Sequence, residues 1–389
     1  MPQISERAQA ISPFYVMEVA KAAFAKQAKG DSVIHLEIGE PDFPTPLPVI
    51  ASAQAYLAKG EIYYTQATGT APLRAAIAAD YLSRYGVHID PERVVVTAGA
   101  SAALLLACAL TLDVGDEVLV TDPSYPCNRQ FIQSMNARAV AVATGPEENF
   151  QFTAHSIEAH WSSRTKAALV ATPSNPTGTS VAADELARIV RTVKARDGFL
   201  LVDEIYEGLS YGRSSKTVLQ HGAPEDEVLV MSSFSKHYNM TGWRLGWLVV
   251  PPQHVKAVER LAQNLFISPS SLAQQAALAC FTPAVQSIAE TRRQAFERRR
   301  DLLLRELPKM GFHVPVVPDG GFFVYADCRR FTEDSYRFCF EVLAATGVAF
   351  APGIDFGEHE ARHYVRMAYA VNEEKLSEAM RRLKQFLSA

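Results

Sequence analysis

The sequence predicts an α/β protein. It has a large domain with a mostly parallel seven-stranded sheet in an α/β/α sandwich, plus a smaller α+β domain from the C-terminal part and the N-terminal segment. Two observations carry this reading. Short, nearly continuous apolar runs alternate with longer helical patterns through the middle of the chain, as strands buried on both faces require. At 389 residues the chain also exceeds the size at which one core usually keeps growing, so a second, smaller core is expected.

The runs are RVVVT (93–97), EVLVT (117–121), RAVAVA (138–143), KAALVA (166–171), FLLVD (199–203), EVLVMSSF (227–234) and LGWLVV (245–250). Helical patterns such as 183–196, with Gly198 as its stop, lie between them. From 272 to about 307 the pattern is helical and increasingly charged, with only Pro283 interrupting. It leads into PDGGFFVYADC, a glycine-hinged strand, and reads as a connector into the second domain. The C-terminal part ends in the amphipathic NEEKLSEAMRRLKQFL. The proline-rich GEPDFPTPLP near the N-terminus has no strand partner of its own and is expected to join that part. The boundaries so drawn are 46–275 for the large domain and 1–45 with 276–389 for the smaller one.

Composition excludes several function classes. Apolar residues make up 48% and charged residues 21%, ordinary values for a globular protein. A net charge of -4 offers no basic excess for a nucleic-acid backbone. The most apolar stretch, 98–112, is too short to span a bilayer, and MPQISERAQA lacks a basic region followed by an apolar core. A cytoplasmic protein with neither membrane nor nucleic-acid partners is expected. Cys108, Cys127, Cys280, Cys328 and Cys339 are odd in number and form no C-x-x-C pair, so they read as reduced thiols.

In parallel α/β sheets ligands sit beyond the carboxyl ends of the strands, and here those ends are polar. AGASAA follows RVVVT and opens a helix, which reads either as an anion site of backbone N–H groups or as a tight strand–helix turn. DPSYPCN places Tyr125 after EVLVT, and TPSNPTG places Asn175 after KAALVA. FLLVD ends in Asp203, with Tyr206 three residues on. Then comes SSFSKHYNMTGWRLGW. A lysine at the end of a buried strand has its pKa lowered by desolvation toward values at which the free amine attacks a carbonyl. Lys236 is therefore a candidate Schiff-base residue. A lone lysine more often snorkels to solvent, but Ser233, Ser235 and Arg244 lie within nine positions and suit a phosphate.

These motifs, from GEPDF to YVRMAYA, stand in the order and at the spacings of one family. The chain resembles the class I/II aminotransferases of the fold-type I pyridoxal 5'-phosphate (PLP) enzymes. The resemblance implies Lys236 as Schiff-base lysine and proton carrier, with Asp203 facing the ring nitrogen and Asn175 and Tyr206 donating to the phenolic oxygen. It further implies Tyr125 stacked on the ring, with Ala100, Ser101, Ser233 and Arg244 on the phosphate. Tyr64, in IYYTQATGTAPLR, would reach that phosphate from the neighbouring subunit of a homodimer. Gly39, in GEPDF, would offer a backbone contact beside the substrate carboxylate, and Arg366, in YVRMAYA, would hold that carboxylate. The planar guanidinium suits this task better than a lysine. The implied reaction is a ping-pong transfer between an L-amino acid and a 2-oxo acid.

Substrate choice stays open among aspartate, alanine and aromatic donors. Some aspartate-using relatives carry a lysine where Ser101 stands, which weakens a dicarboxylate preference. Phe14 and Tyr15, in ISPFYVMEVAKAA, read equally as pocket-lining and as core. A carbon–sulfur β-lyase or synthase of the same fold is the alternative reading, and a non-catalytic PLP-binding sensor a distant one. The segment His359-Glu-Ala-Arg-His363 spells the H-E-x-x-H zinc signature. It follows the glycine-rich PGIDFG and runs at once into a strand-like YVRMAYA, so a polar surface loop with solvated or lightly paired histidines and no metal is expected.

Overall fold

The computed structural model describes residues 2–11 and 13–388. A two-residue strand, β1 (Ile34–His35), precedes the strands of the main sheet: β2 (Val94–Thr97), β3 (Glu117–Asp122), β4 (Arg138–Ala143), β5 (Thr165–Ala171), β6 (Phe199–Asp203), β7 (Val228–Ser233) and β8 (Gly246–Val249). These seven lie in the order β2-β8-β7-β6-β5-β3-β4. The β3/β4, β3/β5, β5/β6 and β6/β7 pairs are parallel, while β8 runs antiparallel to both of its neighbours. All seven expected strands are present to within a residue or two.

The reason for the continuous apolar runs is visible in the packing. Leu200 and Val202 of β6 enter one buried cluster, while Leu201 between them enters the cluster on the opposite face. Successive strand residues point to opposite sides, so a strand covered twice needs no polar face. Helices such as Ala183–Lys194 and Ala71–Tyr85 supply the covers. The latter opens with a proline in its first turn and stops at Gly86, whose φ of 68° is left-handed.

A further core lies apart from the sheet and mixes the two ends of the chain. Val19, Ile34 and Leu36 meet Phe296, Phe322 and Val365 there. Its framework is β9 (Phe323–Asp327), β10 (Val348–Ala349), β11 (Ala351–Pro352) and β12 (Tyr364–Ala368). The β11-β12-β9 sheet is antiparallel. The N-terminal segment does have a strand partner, contrary to the sequence reading: β1 pairs in parallel with β10, Ile34 beside Val348. Two residues are too few for periodicity to reveal.

The expected connector also differs in detail. It is a helix Ser271–Ala277, a 3-10 turn Leu278–Phe281 and then a 28-residue helix Pro283–Met310. Pro283 starts this last helix rather than interrupting one, with the Thr282 hydroxyl capping it by accepting from the Val285 N–H. The long helix pins the GEPDF segment. Arg299 donates two hydrogen bonds to the Asp42 carboxylate at 2.7 and 3.0 Å, and its guanidinium packs over the rings of Phe43 and Phe296.

Arg299 is buried while the Asp42 carboxylate keeps some contact with water. Asp42→Asn should therefore lower the unfolding free energy by about 2 kcal/mol, somewhat less than for breaking a fully buried pair. Urea denaturation of the variant and the parent measures it.

Candidate active site

The parallel strands and the reversed β8 bring their ends to one edge. Thr97 pairs with Gly246, and Gly246 with Ser233. Arg244, two residues before β8, therefore stands beside the residues that follow β2 and β7. Gly99 makes this approach possible: its φ is 81°, and a Cβ there would lie 2.6 Å from an Arg244 Nη2 atom. Immediately after Gly99 the helix Ala100–Thr111 begins. Its first N–H groups, lacking partners within the helix, share this corner with the guanidinium.

A cavity of about 450 Å³ occupies the edge. Its lining includes Gly39, Ala100, Ser101, Tyr125, Asn175, Asp203, Tyr206, Ser233, Lys236, Arg244 and Arg366, so every expected site residue except Tyr64 meets in one space. Tyr64 is 85% exposed and lies outside the lining of its own chain. Phe14 lines the cavity, but Tyr15 does not and packs edge-on against Tyr336.

The titratable groups are perturbed as a desolvated site requires. Burial pushes the Lys236 amine down to about 8, with Glu40 opposing and Arg366 and Arg244 reinforcing the shift. Its Nζ donates to the Gly39 carbonyl at 2.6 Å. Burial raises the Asp203 carboxyl to about 6, against the Ile205 N–H that it accepts and the nearby Lys236. Arg366 is lowered to about 10, again chiefly by burial. Its Nη1 donates to Asn175 Oδ1 at 3.0 Å and its Nη2 to the Glu37 carbonyl, while Nε has no partner among the described residues. The rings of Phe323 and Phe356 hold the guanidinium at 4.5 and 4.8 Å.

Comparison with known proteins settles the family. Residues 31–383 match the family model described as aminotransferase class I and II. The chain belongs to the class I and II aminotransferases. Among its relatives is a valine–pyruvate aminotransferase of Mycobacterium tuberculosis, 40% identical over 97% of both chains. An aspartate aminotransferase of Thermotoga maritima is 34% identical over 99% of this chain and 100% of its own. A crystal structure of an aminotransferase from M. tuberculosis superposes with a TM-score of 0.96 at 39% identity, covering 100% of both chains. The aspartate aminotransferase of Thermus thermophilus with maleate gives 0.93 at 34% identity, covering 99% of this chain and 100% of that one. The protein is thus a transaminase, and its family is PLP-dependent.

The donor set at this aminotransferase's cavity fits that cofactor. A phosphate needs cations and N–H donors, which Arg244 and the start of the helix at Ala100 offer together. A pyridine nitrogen needs a carboxylate, and Asp203 is the one that ends β6. An aldehyde needs an amine that gives up its proton readily, and burial moves Lys236 in that direction.

Sequence reasoning missed two buried polar groups of the lining. Glu37 is fully buried; its Oε1 takes a 2.7 Å hydrogen bond with His35 Nδ1, and its Oε2 has no partner among the described residues. Asn128, 1% exposed, has neither amide atom partnered by a described residue. The H-x-E spacing of His35 and Glu37 was the available signal for the first, and nothing local marked the second. The zinc-like segment runs at once into a strand, as expected, and differs at one histidine. Ala361–His363 is a 3-10 turn leading directly into β12. His363 is buried rather than solvated, its Nδ1 held by Glu360 and its Nε2 by Glu333.

Only the free amine attacks an aldehyde. Capture of PLP by the apoprotein at Lys236, trapped with borohydride and located by mass spectrometry, should therefore rise with pH through an apparent pKa of about 8. A midpoint near that of an ordinary lysine would show the amine to be solvated.

Proposed function

We propose that the cavity binds PLP through Lys236 and transfers an amino group from an L-amino acid to a 2-oxo acid in two half-reactions, the first product leaving before the second substrate enters. The observation that carries this reading is a single desolvated amine, Lys236, in one cavity with Asp203, Asn175 and Arg366. When bound, the cofactor supplies a ring that accepts the electron pair released at the substrate's Cα. The remaining work belongs to the chain. Asp203 holds a proton on the ring nitrogen, Asn175 and Tyr206 donate to the phenolic oxygen, and Tyr125 covers the ring face. Ser233, Arg244, the backbone at Ala100 and the hydroxyl of Ser101 hold the phosphate. Lys236 is freed when the substrate amine takes its place; it then removes the Cα proton and returns one at the end of the half-reaction.

Arg366 receives the α-carboxylate, beside Asn175 and the Gly39 backbone. A carboxylate there would partner the Nε that is now without one and compensate a guanidinium that burial makes costly. Residues 46–275 form the cofactor-binding domain, and 1–45 with 276–389 a smaller domain that closes when substrate reaches Arg366. The protein acts as a homodimer with shared sites. Ile62, Tyr63 and Tyr64 are exposed, as are Leu265 and Ile267, and the Thr65 N–H to Ser268 hydroxyl bond ties these two segments together. Exposed apolar surface of this kind suits a second copy. Five free thiols support a reducing cytoplasm as its location.

Lys236→Ala should abolish transamination measured as 2-oxo acid formation, and turnover at the parental rate would refute the mechanism. Release of pyruvate from cystathionine without any 2-oxo acid from a donor panel would favour the lyase alternative. Arg366→Lys should raise KM for amino and 2-oxo acids on the order of 100-fold, because the planar two-point contact is lost. Sedimentation should show a dimer, and Tyr64→Phe should weaken PLP retention without changing the sedimentation coefficient.

A further inference from the structure

The cavity's charges are few and already assigned. Among the described residues its lining cations are Lys236, Arg244 and Arg366, which the reading above gives to the cofactor aldehyde, the cofactor phosphate and the substrate α-carboxylate. No cation remains for a second carboxylate. Besides Asp203, which the same reading gives to the cofactor ring, two acids, Glu37 and Glu40, line the space. Glu40 has an oxygen occupied by the Thr241 hydroxyl. Glu37 differs, because it is 0% exposed and its Oε2 has no hydrogen-bond donor among the described residues. It belongs to the residue whose carbonyl accepts from Arg366 Nη2, so it stands next to the place where the substrate would be anchored. Asn128 is polar but neutral and cannot balance a second negative charge.

The other wall is apolar. The helix Tyr15–Gln27 sends Val16, Met17 and Ala20 into the cavity, with Phe14 just before it and Ile38 opposite in sequence terms, beside Glu37. The start of that helix is anchored, since the Tyr15 and Val16 N–H groups donate to the Asp355 carboxylate. The segments that carry the exposed tyrosines and isoleucine, 61–70 and 263–272, contain no lysine or arginine. A second copy seated on them would bring no cation from these stretches either.

We propose that the substrates are monocarboxylic amino and 2-oxo acids with an apolar side chain, received by Phe14, Val16, Met17, Ala20 and Ile38, and that Glu37 excludes a second carboxylate. This rests on the aminotransferase reading of the same cavity and on Arg366 as the α-carboxylate site. The physical basis is asymmetric. An apolar wall gains modestly from each buried methylene, whereas a desolvated acceptor with no donor rejects a like charge strongly.

The test is a donor panel with the PLP-loaded protein, in which kcat/KM for L-valine, L-leucine and L-phenylalanine is compared with that for L-aspartate and L-glutamate. The best apolar donor should exceed both acidic donors by more than 10-fold. Glu37→Gln should narrow that ratio about 10-fold, and Met17→Arg, at a half-open position of the wall, should narrow it independently of whether the Glu37 variant folds. Calorimetry with unreactive analogues adds a readout that needs no turnover: 4-methylpentanoate should bind at least 10-fold more tightly than succinate. Aspartate or glutamate matching the best apolar donor, or succinate matching 4-methylpentanoate, would overturn the proposal. Conversion by no donor at all would instead overturn the aminotransferase reading beneath it.

Discussion

Two desolvated cations in one cavity, neither hydrogen-bonded to a carboxylate among the described residues, set the terms for the rest of this structure. Among the described residues Lys236 has only the Gly39 carbonyl within hydrogen-bonding distance, and Arg366 has a side-chain amide, a carbonyl and two ring faces. Neutral dipoles and quadrupoles of this kind hold a charge in place without neutralising it. Removing an ammonium or guanidinium from water is expensive unless a counter-charge arrives. The fold tolerates that expense because rigid strands on both sides fix the groups, and the deficit is what an anionic ligand relieves. Glu37 fits the same logic from the other sign, as a buried acceptor whose free oxygen makes the cavity selective about where negative charge can go.

The two cations also lie on different parts of the fold. Lys236 follows β7 of the main sheet, while Arg366 lies within β12 of the smaller one. The hydrogen bonds that join them to their surroundings cross over: Lys236 reaches back to Gly39, and Arg366 reaches to Asn175 beyond β5. A substrate touching both sides would therefore replace contacts that hold the two cores together, so that binding and the relative position of the cores are linked by the same few atoms.

Much of this was legible in the sequence because the sheet advertises itself. Strands covered on both faces need unbroken apolar runs, and the polar residue that ends each run is where the sheet's ligand edge must be. Asp203, Asn175, Tyr125 and Lys236 could be read off on that ground, with the family resemblance supplying their roles. What stayed hidden depends on partners distant in the chain. The two-residue β1 is a strand only because β10 lies beside it. The Nε2 of His363 is partnered by Glu333, thirty positions away. Asn128 gives no local signal of its burial, and the Phe323–Arg366–Phe356 stack joins three separate segments. The H-E-x-x-H match illustrates the converse, since five residues can copy a motif while the backbone beneath them is a bend and a 3-10 turn that runs into a strand.

The pairing of β1 with β10 bears on how the chain is made. Every strand of the main sheet has left the ribosome once Val249 has emerged, so that sheet can assemble during synthesis, as domains generally do. The N-terminal segment cannot. Ile34 has no edge to join until Val348 is available, and at ordinary translation speeds that wait lasts roughly fifteen seconds to a minute. Through that interval Val19, Ala23 and Leu36, all destined for burial in the same core, lack the partners that Val348 and its neighbours bring. A segment made before the main sheet is thus among the last to find its place.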